Sequence, residues 1–333
     1  MTGTMIKIGT RASVLARTQS QMIADALGAP AELVFISTEG DVNQAPLDRI
    51  GGTGIFVSAV RDALLDGEVD LVVHSMKDLP TAPAPGITLI AVPPREDPRD
   101  VLCAADGLGL AQLPLGAKVG TGSARRAAQL LAARPDLEVT GLRGNIDTRL
   151  GRVRGHVGPG REAPRGGAGG RPPQDNFRGG AGGRPPQEDL DAVVLAAAGL
   201  SRAGRSQYVT EFLDPSVMLS AAAQGALAVE CRSDDLDSVA ARLAAGLDDP
   251  LTRARTVAER SFLSTLEAGC TAPVGALATV VDGVLTLRGL AISTDASVRF
   301  DGELAGPVAD AVGIGVRLAE QLLAEGAGVV LAK

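Results

Sequence analysis

The sequence predicts an α/β protein: two domains with mainly parallel sheets, then a small C-terminal α+β domain. Three observations lead there. The chain has 333 residues, too many for one ordinary domain and suited to two or three. Short apolar or β-branched runs alternate with helix-like runs through most of its length, the pattern of parallel sheets covered on both faces. Past residue 249 the pattern changes to a capped helix, hairpin-like strands and a final helix.

The elements follow in order. Residues 5–10 form a β-branched run, and Ser13 can cap a helix through about residue 27. Residues 33–37 read as a buried strand, 55–65 as a helix and 71–73 as a strand. After a Pro/Asp-rich passage at 93–100 the alternation resumes. Strands are expected at 118–120, 137–142 and 191–196, with helices at 124–133 and 146–153. Asp249-Pro250 is a cap followed by proline at the first helical position. Leu251, Ala254, Ala258, Phe262 and Leu266 then share one face, and Gly269 is a stop. Strands at 277–281 and 284–290 are joined by Asp282-Gly283.

Composition narrows the function. Apolar residues make up 45%, enough for real cores, yet no run reaches the length of a membrane span. The N-terminus MTGTMIKIGTRAS carries no apolar signal region, so a cytoplasmic location is expected. The cysteines Cys103, Cys231 and Cys270 are odd in number and scattered, unlike a disulfide framework or a zinc ribbon. A net charge of -7 argues against a nucleic-acid partner. Only Lys7, Lys77, Lys118 and Lys333 are lysines; every other cation is an arginine, whose planar fork grips carboxylates. Residues 158–187 carry the repeat RGGAGGRPPQ at 165–174 and 178–187, with Phe177 as the one large apolar residue. Such a segment cannot offset its ordering entropy by burial and is expected to be a mobile surface loop.

Five clusters stand at strand or helix ends, where open α/β sheets bind ligands. Gly9-Thr10-Arg11-Ala12-Ser13 joins an arginine to a helix start, which suits an anion. His74-Ser75-Met76-Lys77-Asp78 sets a cation beside a carboxylate, which if buried could hydrogen-bond N–H groups, stabilise a cation or move protons. Gly120-Thr121-Gly122-Ser123-Ala124-Arg125-Arg126 opens a helix with two arginines, unfavourable there unless an anion compensates. It is neither a P-loop nor a dinucleotide fingerprint. Arg143 and Arg149 flank a further strand-to-helix turn. Glu267-Ala268-Gly269-Cys270-Thr271-Ala272-Pro273 puts a cysteine just past a helix end, where sulfur can do covalent chemistry. With only His74 and His156 in the chain, a Cys/His hydrolase is poorly supported. Together the clusters ask for a ligand with many carboxylates.

Several long motifs stand in one order: HSMKDLP (74–80), REDPRD (95–100), GTGSARR (120–126), LRGNIDTRL (142–150), AQGALAVECR (223–232) and EAGCTAPVG (267–275). In these the chain resembles the hydroxymethylbilane synthase (porphobilinogen deaminase) family along nearly its whole length. The resemblance implies three domains, the first two like type II periplasmic binding proteins, here placed at 1–93 with 226–243, at 99–219 and at 249–333. It implies a dipyrromethane cofactor held by a thioether to Cys270, and stepwise head-to-tail condensation of four porphobilinogen units with loss of ammonia. Asp78 would be the catalytic carboxylate and would also contact the cofactor. Lys77, Ser123, Arg125 and Arg126 would bind cofactor acid groups. Arg11, Ser13, Phe56, Ser75, Arg143, Arg149 and Arg202 would hold substrate and growing chain. No metal is implied, and the expected enzyme is a monomer whose partner is its small-molecule substrate, with no nucleic acid or membrane.

The chain departs from the family in places. Thr53 and Ser58 stand where many relatives have lysines, Gly122 replaces a usual serine, and residues 158–187 replace a short turn. Two rivals fit part of the pattern. A non-catalytic receptor for a small polycarboxylate would keep the arginines but has no use for Cys270 or Asp78. An inactive relative could bind RNA through the Arg/Gly tract.

Overall fold

A computed structural model describes residues 5–36, 57–156, 190–269 and 272–331. In chain order the strands are β1 (Ile6–Arg11), β2 (Ala31–Ile36), β3 (Leu71–Ser75), β4 (Ile87–Ala91), β5 (Asp100–Ala104), β6 (Lys118–Thr121), β7 (Glu138–Gly141), β8 (Ala192–Ala196), β9 (Glu211–Phe212), β10 (Leu227–Arg232), β11 (Val274–Val281), β12 (Val284–Ile292) and β13 (Arg299–Pro307). The main helices are α1 (Val14–Ala26), α2 (Ser58–Leu65), α3 (Ala124–Ala133), α4 (Ile146–Leu150), α5 (Ala197–Arg202), α6 (Val239–Ala245), α7 (Pro250–Thr265) and α8 (Ala311–Ala324).

They build an α/β molecule around three sheets: β2-β1-β3-β10-β4, β7-β6-β8-β5-β9 and β11-β12-β13. In the first, β1 is parallel to β2 and β3, while β10 runs antiparallel between β3 and β4. The second repeats the plan: β6 is parallel to β7 and β8, and β5 is antiparallel to β8 and β9. Both sheets are therefore mixed rather than wholly parallel. The chain enters the second sheet through residues 92–99 and returns through 213–226, delivering β10 back into the first.

Local signals account for the helix starts. The Ser13 hydroxyl accepts the Ala16 amide at 3.3 Å, the Ser123 hydroxyl that of Arg126, and the Asp249 carboxylate that of Thr252. Each satisfies an amide that the first turn leaves without a helical partner. Three expectations fail and one strand is unforeseen. β2 is a partly exposed edge strand, with Phe35 in solvent, not a buried one. The helix expected over 146–153 ends at Leu150. Leu251 is exposed because it lies in the first turn of α7, before the helix meets its sheet. A third C-terminal strand, β13, completes the last sheet.

Ile8, Leu71, Val73 and Val229 pack with Ile23 of α1 and Ala241 of α6. Val60 and Leu64 of α2 cover Val72 on the other face. The third core gathers Ala258 and Phe262 of α7, Leu285 and Leu287 of β12, and Ile314 and Leu318 of α8. Burying a side chain such as Phe262 contributes about 1.5–3 kcal/mol. Ala128 of α3, Leu219, Leu277 and Leu290 join the last sheet to the second.

The two crossovers and α7 meet at one buried ion pair. Arg95 donates to Glu259 at 2.6 and 2.9 Å. Glu259 also accepts the Ala223 and Ala278 amides at 2.6 and 2.8 Å. Gly225, at φ +89°, passes so near that a Cβ would stand 2.5 Å from the Glu96 carbonyl. Replacing Glu259 by alanine leaves the Arg95 charge buried and unpaired, which costs about 3–5 kcal/mol. Thermal unfolding should show that loss; an unchanged midpoint would contradict it.

Candidate active site

Those of the predicted residues that are described lie at strand ends, in the turn after β3, or on or just before the helices that follow β1, β6, β7 and β8. Arg11 ends β1, two residues before the α1 cap Ser13. Ser75 ends β3, and a three-residue 3-10 turn, Met76–Asp78, follows. Met76 plunges into the core, 1% exposed, so the two residues after it are turned away from that core. Arg11, Ser13, Gln19, Ser75 and Asp78 line a cavity of about 80 Å³. Gln19, buried on α1, exchanges hydrogen bonds with Ser75 at 2.8 and 3.1 Å, fixing the strand end beside Asp78. The Asp78 carboxylate is exposed rather than buried, because its turn faces the opening instead of the sheet.

A second cluster centres on Asp100, the first residue of β5 and wholly buried. Arg125 reaches it at 2.8 Å, and Arg126 at 2.7 and 3.1 Å. Arg125 also donates to the Leu219 carbonyl, and Arg126 to that of Val194. Gln224 donates to Asp100 at 2.8 Å and accepts from Lys77 at 3.3 Å. Burial would raise the Asp100 pKa, but Arg125 and Arg126 overcome this and hold the carboxyl well below the usual range. Lys77 is pulled down to about 8, first by burial, with Asp78 raising it and Arg126 lowering it. Burial, then the charges of Arg126 and Arg143, likewise lowers Arg149.

Burial lowers Lys77 and Arg149 directly, whereas the two guanidinia that share Asp100 hold its carboxyl down. Two guanidinia share one carboxylate, and a lysine and a third guanidinium feel them. Cations so placed favour a bound polyanion with several carboxylates. Ser123 caps α3, and the following helix start adds amide donors at the same place. A Cβ on Gly122 would stand 2.5 Å from the Leu142 carbonyl, so the turn before Arg143 packs directly onto this helix start.

Arg202, on α5, donates to the Gly225 carbonyl at 2.7 Å, and its buried Nε has no hydrogen-bond partner among the described residues. Arg143 is exposed at the end of its turn. Phe56, Thr53, Cys270 and the segment 158–187 lie outside the described residues. The other two cysteines are buried; burial pushes the Cys103 thiol up to about 12 and raises that of Cys231 as well. Neither presents a ready thiolate.

The sequence reading missed Asp100, Gln19 and Gln224 as site residues. Asp100 closes the REDPRD motif, a signal that could have found it. Gln224 stands in the AQGALAVECR motif (223–232), a signal of the same kind, whereas Gln19 carries no local signature. Among the described residues no group of three or more His, Cys, Asp or Glu could hold a metal ion, and no helix is long and apolar enough to cross a membrane.

Comparison with known proteins bears on this geometry. The family described as porphobilinogen deaminase, dipyromethane cofactor binding domain, matches residues 6–159 and 179–240. The one described as porphobilinogen deaminase, C-terminal domain, matches 254–324. A porphobilinogen deaminase of Cutibacterium acnes is 51% identical over 98% of this chain and 96% of its own. That of Nocardia farcinica is 48% identical over 99% of this chain and 89% of its own. Among solved structures, a nutrient binding protein from Burkholderia cenocepacia bound to methionine overlays 72% of this chain and 89% of its own, at 14% identity and TM-score 0.38.

Proposed function

The chain belongs to the porphobilinogen deaminase family, and we infer that it is a hydroxymethylbilane synthase, a transferase that joins four porphobilinogen units head to tail. The observation that carries this reading onto the chain's own residues is the cation cluster of Lys77, Arg125 and Arg126 around Asp100, beside the turn that bears Asp78.

The donor set fits the family's dipyrromethane cofactor, which carries acetate and propionate groups. Lys77, Ser123, Arg125 and Arg126 would hold those acid groups, and Cys270 would supply the thioether. When bound, that group offers the free pyrrole α-carbon to which the first substrate is joined. On this reading Arg11, Ser13, Ser75, Arg143, Arg149 and Arg202 grip substrate carboxylates, and Phe56 lies by the active site. Asp78, exposed at the cavity mouth, accepts pyrrole N–H hydrogen bonds. Its charge stabilises the cation left when porphobilinogen loses ammonia, and it can relay the protons of each step. Gln19 holds Ser75 in place for that contact. We also propose division into domains at 1–93 with 226–243, 99–219 and 249–333, which the two crossovers support. The enzyme would work as a cytoplasmic monomer, without nucleic acid or membrane.

Incubation with porphobilinogen should release one ammonia per unit consumed and yield the linear tetrapyrrole. Binding without ammonia release would instead favour a polycarboxylate receptor. The family match breaks off at 159 and resumes at 179, within the repeated segment. Deleting residues 158–187 should therefore leave kcat and KM nearly unchanged in a steady-state assay. A large loss would show that the segment serves catalysis, and a salt-sensitive RNA affinity lost with it would show a second role.

A further inference from the structure

We infer that Arg260 is a positioning residue, clamping the turn that carries Lys77 and Asp78 to the helix that leads into Cys270. This rests on the function proposed above.

Arg260 lies on α7, away from the face on which Ala258 and Phe262 fill the third core. Its guanidinium reaches the turn after β3 instead. Nη1 donates to the Leu79 carbonyl at 3.0 Å and to that of Met76 at 3.3 Å. Nη2 donates to the Pro80 carbonyl at 2.6 Å. Carbonyls on both sides of Lys77-Asp78 thus converge on one planar fork. Asp78 has a short, exposed side chain, so the backbone of its turn sets where its carboxylate stands. Met76 pins that turn from within the core, and Arg260 pins it from outside.

A charge cluster lies near the clamp. Glu230 on β10 is gripped by Arg61 of α2 at 2.6 and 2.9 Å and lies 3.3 Å from His74 Nε2. Burial disfavours the Arg260 charge, the field of Glu230 favours it, and Arg61 opposes it. α7 continues past Arg260 to its cap at Leu266, about 9 Å of rigid helix, and Cys270 follows four residues later. One element thereby ties the reacting carboxylate to the segment that would anchor the cofactor. Catalysis is sensitive to such registration, since a misplacement of about 1 Å can cost a hundredfold.

The test compares Arg260→Met and Arg260→Lys with the parent, each as full-length chain incubated with porphobilinogen. Intact mass reports cofactor loading, thermal unfolding reports the fold, and steady-state kinetics separate kcat from KM. Both variants should carry the cofactor mass. The kcat of Arg260→Met should fall roughly thirty- to hundredfold with KM within about threefold. Arg260→Lys should recover about tenfold of that loss, because an ammonium keeps the charge without the fork. An unchanged kcat in a folded, loaded Arg260→Met overturns the proposal. So does a loss confined to stability or loading, with kcat per loaded chain intact. If Arg260→Met does not fold, Arg260→Lys decides: a lowered kcat at unchanged KM and melting midpoint supports the clamp, and the parent's kcat overturns it. A parent chain without cofactor mass would overturn the functional reading, and this proposal with it.

Discussion

Replacing Asp78 by asparagine is expected to lower kcat about a hundred- to ten-thousandfold while leaving the fold and the bound cofactor in place. The side chain is exposed at the mouth of the cavity shared with Arg11, Ser13 and Ser75, so its loss removes no core packing. Asparagine keeps the size and one acceptor oxygen but loses the charge. It can still meet a pyrrole N–H, yet it can neither balance a developing cation nor carry a proton. The deficit should therefore fall on kcat rather than KM, since a group needed mainly in the transition state affects the chemical step. Glutamate should restore part of the rate. A KM-only effect in steady-state kinetics would assign Asp78 to binding.

Alanine at Asp100 should have the largest structural effect in the site. The carboxylate is wholly buried and is shared by Arg125, Arg126 and Gln224. Without it two buried guanidinia lose their counter-charge, a penalty of about 3–5 kcal/mol. The like charges of Arg125 and Arg126 would then repel, and Lys77 stands within their field. Denaturant unfolding should show the stability loss. Intact mass should show poor cofactor loading, because the arginines are no longer held at the helix start. Polycarboxylates should partly rescue stability, since an anion can replace the missing charge. A variant as stable and as fully loaded as the parent would contradict this account.

Much of the fold was legible from local chemistry. Ser13, Ser123 and Asp249 each precede an apolar-periodic run, and each caps the helix that follows. The Asp282-Gly283 turn joins β11 to β12 as expected. What escaped is non-local. β10 slots antiparallel between β3 and β4, a choice made by the returning chain and not by its own residues. β13 reads poorly as a strand because it contains Gly302, Gly306 and Pro307. The two glycines are where Leu318 and Ile314 of α8 press on the sheet, at 3.1 Å from an added Cβ. The site shows the same division. Arg11, Lys77, Asp78, Arg125 and Arg126 stand in recognisable motifs. Gln224 meets Asp100 across 124 positions, and Arg61 meets Glu230 across 169, so only the tertiary structure reveals them. Exposure of Asp78 was also hidden, because it follows from how Met76 anchors a three-residue turn.

The most direct test of the central claim is the intact mass of the purified chain under denaturing conditions, beside Cys270→Ser. A covalent excess of two linked pyrrole units, present in the parent and absent from the variant, is the predicted result. An unmodified parent mass that persists after incubation with porphobilinogen would contradict it.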